Sequence, residues 1–305
     1  MFVKKTTQLK KMINEKRAVV APGCYDVLSA KLIEEAGFEL TQVSGFGVSA
    51  CLLGKPDVGL LGWNEVVDMT WRVAQAVSIP VMGDGDTGFG NALNVIRTVQ
   101  DFIQVGAAGV NLEDQVFPKR CGHMEGKQLV SEEEMVLKIE AAVEARKALD
   151  PDFVINARTD AIAVSGYEDA IHRANAYAAA GADMIFLEAP TDKEMIRDAV
   201  SRIAAPVSIN LFDSVVGGKT PLIPVEELAE LGVARVSVPV GPIFVVTKWL
   251  REYLSVLKER GIMPDRTDLL CTFDEFKSLV GLPEYKELEK RFLPKSVVQE
   301  KYKGE

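Results

Sequence analysis

Short runs of β-branched and aliphatic residues alternate with longer helical patterns about eight times along the chain. This rhythm predicts an α/β fold, a (βα)8 TIM-type barrel with a C-terminal helical extension. Two further observations support it. Several helical patterns close on a glycine just before a strand run, at Gly37, Gly106, Gly181 and Gly232, where a left-handed C-cap feeds a helix-to-strand turn. The 305 residues also suit one barrel, which commonly takes roughly 250 residues, plus a tail. In order, the strand runs are 18–21, 40–44, 81–84, 109–113, 154–158, 184–188, 207–211 and 235–238. Among the intervening helices, 131–149 and 167–180 carry apolar residues at helical spacing, and Ser131 with Glu134 three residues on predicts a capping box. The last barrel helix spans about 242–260, and Gly261 to Pro264 follow it. Two amphipathic helices at 273–280 and 285–292 lie outside the barrel count and are expected to pack on another subunit. The domain division is therefore 1–260 for the catalytic barrel and 261–305 for an oligomerisation tail.

Charge and composition narrow the function. Thirty-five basic residues against 44 acidic give a net charge of -9, which lacks the basic footprint of a nucleic-acid binder and argues against an anionic membrane surface. No apolar run approaches the ~18 to 20 residues that span a bilayer, and the first residues show no signal-peptide core, so a cytoplasmic location is expected. Cys24, Cys51, Cys121 and Cys271 form no CxxC pair, which makes reduced thiols the default.

Catalytic groups of such a barrel sit at the C-terminal ends of its strands, and here those ends are polar six times running. They read Ser44-Gly45, Asp84-Gly85-Asp86, Glu113-Asp114, Arg158-Thr159-Asp160, Glu188 and Asn210. Converging carboxylates are costly to bury without a purpose. Asp84, Asp86 and Glu113 offer oxygen donors with no His or Cys beside them, the ligand chemistry of a hard cation, Mg²⁺ with Mn²⁺ as a substitute. Arg158 ends a strand that should be buried and needs an anion, either a substrate carboxylate or an internal salt bridge to Asp160 or Glu188. Ser44, Gly45 and Phe46 place small groups and backbone N–H donors where a carboxylate or enolate oxygen could rest. The loop after the fourth strand carries Cys121 beside Lys119, Arg120 and His123, cations expected to stabilise its thiolate, and its glycines suit a lid. Cys24, Cys51 and Cys271 have apolar or aromatic neighbours in sequence and are expected to be buried, and His172 falls in a helix with a structural role.

Gly83 to Gly90, Glu113-Asp114-Gln115 and Lys119-Arg120-Cys121-Gly122-His123 resemble the metal and catalytic-loop motifs of the isocitrate lyase and phosphoenolpyruvate mutase superfamily, over nearly the whole chain. The cysteine loop points to its carbon–carbon lyase branch, with the dimethylmalate and methylisocitrate lyases. The resemblance implies a dimer of dimers with the last barrel helix swapped between subunits, and Mg²⁺ at the rim. It implies that Ser44 and the amides of Gly45 and Phe46 hold the oxo or hydroxy acid, with Asp57 nearby, and that Arg158 clamps its carboxylate. Asp84 would bind the metal directly, and Asp86 and Glu113 largely through water. Gly122 would contact substrate; Cys121, His123 and Glu188 would belong to the catalytic set, and Asn210 to the far end of a small di- or tricarboxylate. The implied reaction cleaves the C2–C3 bond of a substituted malate, of the 2,3-dimethylmalate, 2-alkylmalate or 2-methylisocitrate type, to a 2-oxo acid and a carboxylic acid, Cys121 protonating the carbanion. Oxaloacetate hydrolysis or decarboxylation and a carboxyphosphonoenolpyruvate-type mutase reaction are the rival chemistries. A non-enzymatic scaffold would require a broken site. Asp213, followed by Ser214-Val215-Val216, departs from the lyase pattern of a glutamate soon followed by glycine.

Overall fold

The computed structural model describes residues 3–212, 218–262 and 267–303. The chain divides into two compact units, 1–245 and 246–305. In the first, eight parallel strands close in sequence order: β1 (Val19–Cys24), β2 (Thr41–Val43), β3 (Val81–Asp84), β4 (Gly109–Glu113), β5 (Val154–Thr159), β6 (Met184–Leu187), β7 (Val207–Asn210) and β8 (Arg235–Val238). Pairing of Val19 with Arg235 shuts the ring.

Period-2 alternation sorts the strand residues into two environments. One set faces the surrounding helices and forms the main core, with Val43, Val81, Ile155, Ile185, Ile209 and Val236 fully or nearly fully buried. The other set faces the barrel axis in layers. Its N-terminal layer is apolar, built from Val19, Met82, Val154 and Met184, and the amphipathic helix Lys5–Asn14 plugs that end with Leu9 and Ile13. Toward the C-terminal end the inward residues turn polar, and the site is there.

Gly37, Gly106, Gly181 and Gly232 all adopt positive φ, between 85° and 102°, as their C-cap positions require. Ser131 caps its helix by accepting from the Glu134 amide, but the box is half made: the Glu134 carboxylate pairs instead with Lys138 at 3.3 Å. β1 runs further than the sequence suggests, because Pro22-Gly23 reads as a turn. Gly23 is needed there, since a Cβ would sit 2.3 Å from the Pro239 carbonyl oxygen.

The second unit contains the later part of the helix Gly241–Arg260 and then Phe273–Leu279, Leu282–Phe292 and Lys295–Lys301, the last of which the sequence pattern does not reveal. Thr272 and Glu275 form a reciprocal capping box. Phe273, Tyr285 and Phe292 are more than 60% exposed. Among the described residues no helix is long and apolar enough to cross a membrane.

Candidate active site

At the C-terminal mouth of the barrel the strand ends and two loops enclose a cavity of about 60 Å³. Every candidate named from sequence lines it: Ser44, Gly45, Phe46, Asp57, Asp84, Asp86, Glu113, Cys121, Gly122, His123, Arg158, Glu188 and Asn210. Gln42, Lys119, Phe186 and Phe212 line it as well.

The acidic side is organised by backbone and by one lysine. The Gly45 amide donates to Asp84 Oδ2 at 3.0 Å, so this N–H is committed to Asp84 rather than open to a substrate oxygen. Close approach here needs glycine, because a Cβ on Gly45 would lie 2.6 Å from the same oxygen. Ser44 Oγ accepts from the Gly47 amide at 3.3 Å and caps the short helix Gly45–Val48. Asp86 takes a positive φ of 44°, and the residue lines the cavity. Lys119, buried, places Nζ 2.8 Å from both Asp86 Oδ1 and Asp57 Oδ1. Burial, reinforced by Asp84 and Asp57, pushes Asp86 up to about 6 although Lys119 opposes it. Burial likewise raises Glu113 well above the carboxylate range, Arg158 opposing, and Glu188 is raised for the same reason. Glu113 Oε1 and both Glu188 oxygens are buried without a hydrogen bond.

Arg158 resolves one question the sequence left open. Asp160 takes its fork, Nε at 2.8 Å and Nη2 at 3.0 Å, while Glu113 and Glu188 stand 3.5 and 3.7 Å away. The guanidinium thus has its internal partner and still lines the cavity. Asp160 also receives Lys127 Nζ at 2.7 Å, and Lys127 donates in turn to the Gly122 carbonyl at 2.5 Å. Behind it, buried Asp114 accepts from the Asp160 amide at 3.0 Å and from Thr159 and Tyr177 hydroxyls at 2.8 Å each. Asp160, Lys127 and Asp114 hold the arginine and the catalytic loop in one network. The polar ends of β4 and β5 hinted at this, but the partner Lys127 is 33 residues from Asp160 and gave no signal.

The loop itself overturns the expectation of a stabilised thiolate. Burial pushes the Cys121 thiol up to about 11, and Asp57 and Glu188 add to that. The sequence neighbours do not help: Lys119 is spent on Asp57 and Asp86, the Arg120 guanidinium turns to the Glu125 carbonyl, and His123 is neutral, driven down to about 4 by burial and by Arg158. Cys121 is a protonated thiol at neutral pH. His123 packs against Phe212 with ring centroids 4.4 Å apart and planes tilted by 47°, lies 3.4 Å from Asn210 Nδ2 and 3.5 Å from Glu188 Oε1, and accepts from the Lys219 amide at 3.2 Å. Gly122 fits only as glycine: a Cβ would fall 1.9 Å from Glu188 Oε1 and 2.4 Å from Arg158 Nη2.

Of the other cysteines, Cys24 is buried as expected, whereas Cys51 and Cys271 are exposed, because their apolar neighbours in sequence do not enclose them. His172 is on the surface against Glu132. Asp213 to Val216 lie outside the described residues.

A parallel barrel with ionisable groups converging on its C-terminal mouth, and with a half-buried thiol on the loop over it, defines a barrel enzyme acting on small polar molecules. The chain belongs to the phosphoenolpyruvate phosphomutase family, whose model matches residues 9–257. Among curated relatives it is 42% identical over 285 residues to 2,3-dimethylmalate lyase of Eubacterium barkeri, covering 93% of this chain and 97% of that one. It is 44% identical over 290 residues to the chloroplastic carboxyvinyl-carboxyphosphonate phosphorylmutase of Arabidopsis thaliana, covering 94% and 84%. With 2-methylisocitrate lyase of Aeropyrum pernix it shares 42% over 277 residues, covering 91% and 87%. Among solved structures, oxaloacetate acetylhydrolase with 3,3-difluorooxalacetate and 2,3-dimethylmalate lyase each match with TM-score 0.88 and 34% identity, covering 94% and 95% of this chain and 96% of theirs. Phosphonopyruvate hydrolase with oxalate and Mg²⁺ matches with TM-score 0.85 and 31% identity, covering 96% of this chain and 100% of that one.

Proposed function

We propose that the chain is a Mg²⁺-dependent carbon–carbon lyase that cleaves the C2–C3 bond of a substituted malate, releasing pyruvate or another 2-oxo acid and a carboxylic acid. The observation that carries this reading is the protonated, half-buried Cys121 facing a cavity whose other walls are built for carboxylates. A carbanion needs a proton donor, and a thiol held neutral at pH 7 is one.

The residues present fit a hard cation. Asp84, Asp86 and Glu113 offer oxygen only, and Glu113 keeps a buried oxygen without a partner. Among the described residues no three His, Cys, Asp or Glu side chains are grouped so as to hold an ion by themselves, and Mg²⁺ is commonly bound through one or two carboxylates with waters. When bound, Mg²⁺ supplies Lewis-acid stabilisation at the oxo-acid oxygen, held by Asp84 with Asp86 and Glu113 around it.

This chain's own groups do the rest. Asp160 occupies Nε and Nη2 of Arg158, which leaves Nη1 for the substrate carboxylate. A base removes the C2 hydroxyl proton, the C2–C3 electron pair leaves with the C3 fragment, and Cys121 Sγ–H delivers its proton to C3. Gly122 lets the loop close on Glu188 and Arg158, so water is kept from the carbanion. His123 and Asn210 bound the distal side. The proposal extends to a cytoplasmic protein, in keeping with four unpaired cysteines. It also extends to a homotetramer, a dimer of dimers with the last barrel helix exchanged, in keeping with the exposed Phe273, Tyr285 and Phe292.

A second reading, oxaloacetate hydrolysis, is favoured by the likeness to oxaloacetate acetylhydrolase at TM-score 0.88. Incubating the protein and Mg²⁺ with 2-alkylmalates, 2,3-dimethylmalate, 2-methylisocitrate and oxaloacetate decides between them. The lyase yields a 2-oxo acid plus a second intact acid from a malate derivative; turnover of oxaloacetate alone would replace the lyase reading.

A further inference from the structure

One pleat below the rim, the barrel holds an arginine that no carboxylate pairs with among the described residues. Arg235 on β8 is fully buried. Its Nη1 donates to Ser208 Oγ at 3.1 Å and its Nη2 to Gln42 Oε1, while Nε has no hydrogen-bond partner. Asp84 attracts this guanidinium from beyond ion-pair distance, but its direct partners are neutral acceptors, so its burial is a heavy cost, and the layer beneath it is filled with aliphatic residues that would serve packing better. Barrel stability does not account for it.

Its effect on Gln42 does. A guanidinium has donors only, so the amide oxygen of Gln42 must face Arg235 and the amide nitrogen must face away. This orientation follows from the pairing itself. Gln42 lies on β2 two residues before Ser44, points into the barrel, and lines the same cavity as Ser44 and Asp84. Its Nε2 makes no hydrogen bond to the described residues. Two N–H donors are therefore held at the cavity floor with nothing on them.

We propose that Gln42 is a substrate-contacting residue whose Nε2 donates to an oxygen of the bound acid, and that Arg235 is the positioning residue that fixes this orientation. The inference rests on the reading that the cavity binds an oxo or hydroxy acid. It deepens that reading by assigning the floor to an oxygen-bearing substituent, a carboxylate, hydroxyl or oxo group, rather than to an alkyl one.

Oxalate with Mg²⁺ is the probe, its affinity measured by calorimetry on the full chain. Gln42→Leu and Arg235→Met should each weaken oxalate about 10- to 100-fold, as expected for losing a hydrogen bond to a charged group. The double variant should be no weaker than the weaker single, and Arg235→Met should keep or raise the melting temperature. Wild-type affinity in Arg235→Met, or losses that simply add in the double variant, would overturn the positioning role. Should Arg235→Met not fold, Gln42→Glu carries the test: it keeps a partner for Arg235 but turns an acceptor toward the cavity. It should weaken oxalate at least as much as Gln42→Leu, and unchanged affinity would overturn the inference. A wild-type protein that binds oxalate but cleaves no malate derivative would sink the lyase reading and leave this one standing, whereas one that binds no oxalate would sink this one.

Discussion

Adding one methyl group at Gly122 creates the most localised conflict in the site. The new carbon would lie 1.9 Å from Glu188 Oε1 and 2.4 Å from Arg158 Nη2, so reaching an ordinary contact near 3.4 Å takes a shift of about 1.5 Å (3.4 less 1.9). Neither neighbour yields easily. Glu188 is buried at 1% exposure, and Arg158 is tied bidentately to Asp160 and lies over the Phe186 ring at 5.1 Å. The loop must give way instead, stretching the 2.5 Å bond from Lys127 to the Gly122 carbonyl and carrying Cys121 with it. A displacement of about 1 Å at a reacting group costs on the order of 100-fold. Gly122→Ala should therefore lower kcat/KM by about 100-fold or more on whichever acid the wild type cleaves best. Gly122 is buried but lies on a loop outside the apolar core, so the melting temperature should fall by only a few degrees while activity is lost. Steady-state kinetics and thermal unfolding on one preparation check both. Wild-type kcat/KM in Gly122→Ala would refute the close approach of this loop to Glu188 and Arg158.

Cys121→Ser should bind oxalate and Mg²⁺ within about twofold of wild type yet lose 10²- to 10⁴-fold in kcat, the range for a displaced general acid; unchanged turnover would remove the thiol from the chemistry. Because burial raises the Cys121 value from 9.0 to about 11, its alkylation rate should keep climbing through pH 9 instead of levelling there, and exposed Cys51 and Cys271 should label first; mass-resolved labelling against pH reads both. The sign for stability follows: the thiol's contribution is fully present below pH 9 and is lost as pH rises toward 11. Lys119→Met leaves Asp57 and Asp86 buried without their cation and should cost about 3 to 5 kcal/mol in denaturant unfolding; a loss under 1 kcal/mol would show that the acids are solvated. Activity should vanish in EDTA and return with Mg²⁺ or Mn²⁺, and Asp84→Ala should not be rescued by either; full activity in chelator would exclude the metal role.

The barrel was legible because its signals are local and redundant. A left-handed C-cap admits few residues besides glycine, and Gly106 and Gly232 marked where helices stop and strands start, so β4 and β8 fell at their expected bounds. β1 was read short because Pro22-Gly23 carries turn chemistry inside a strand, where the close backbone of Pro239, a residue more than two hundred positions away, makes glycine necessary. The helix Lys295–Lys301 is a short polar stretch with no periodic apolar face to announce it.

The rim was legible for a related reason: an acid or arginine ending an apolar strand run stands out in a window of five residues. Partnership does not. Sequence adjacency placed Lys119, Arg120 and His123 around the Cys121 thiol, but neighbours along an extended loop point in different directions, and Lys119 reaches Asp57, 62 positions away. The error reversed the sign of the thiol's ionisation, yet the reversal strengthens the lyase chemistry: a thiolate could take a proton from the substrate, whereas a neutral, half-buried thiol is poised to give one after the bond breaks. Gln42 and Arg235 were invisible for the same physical reason. They are 193 positions apart, in strands of three and four residues that are too short for alternation to register, and only closure of β1 on β8 brings both to the barrel axis. What a strand's end aims at the mouth can be read from its own residues. What holds that mouth in shape is decided by which strands the closed sheet sets side by side.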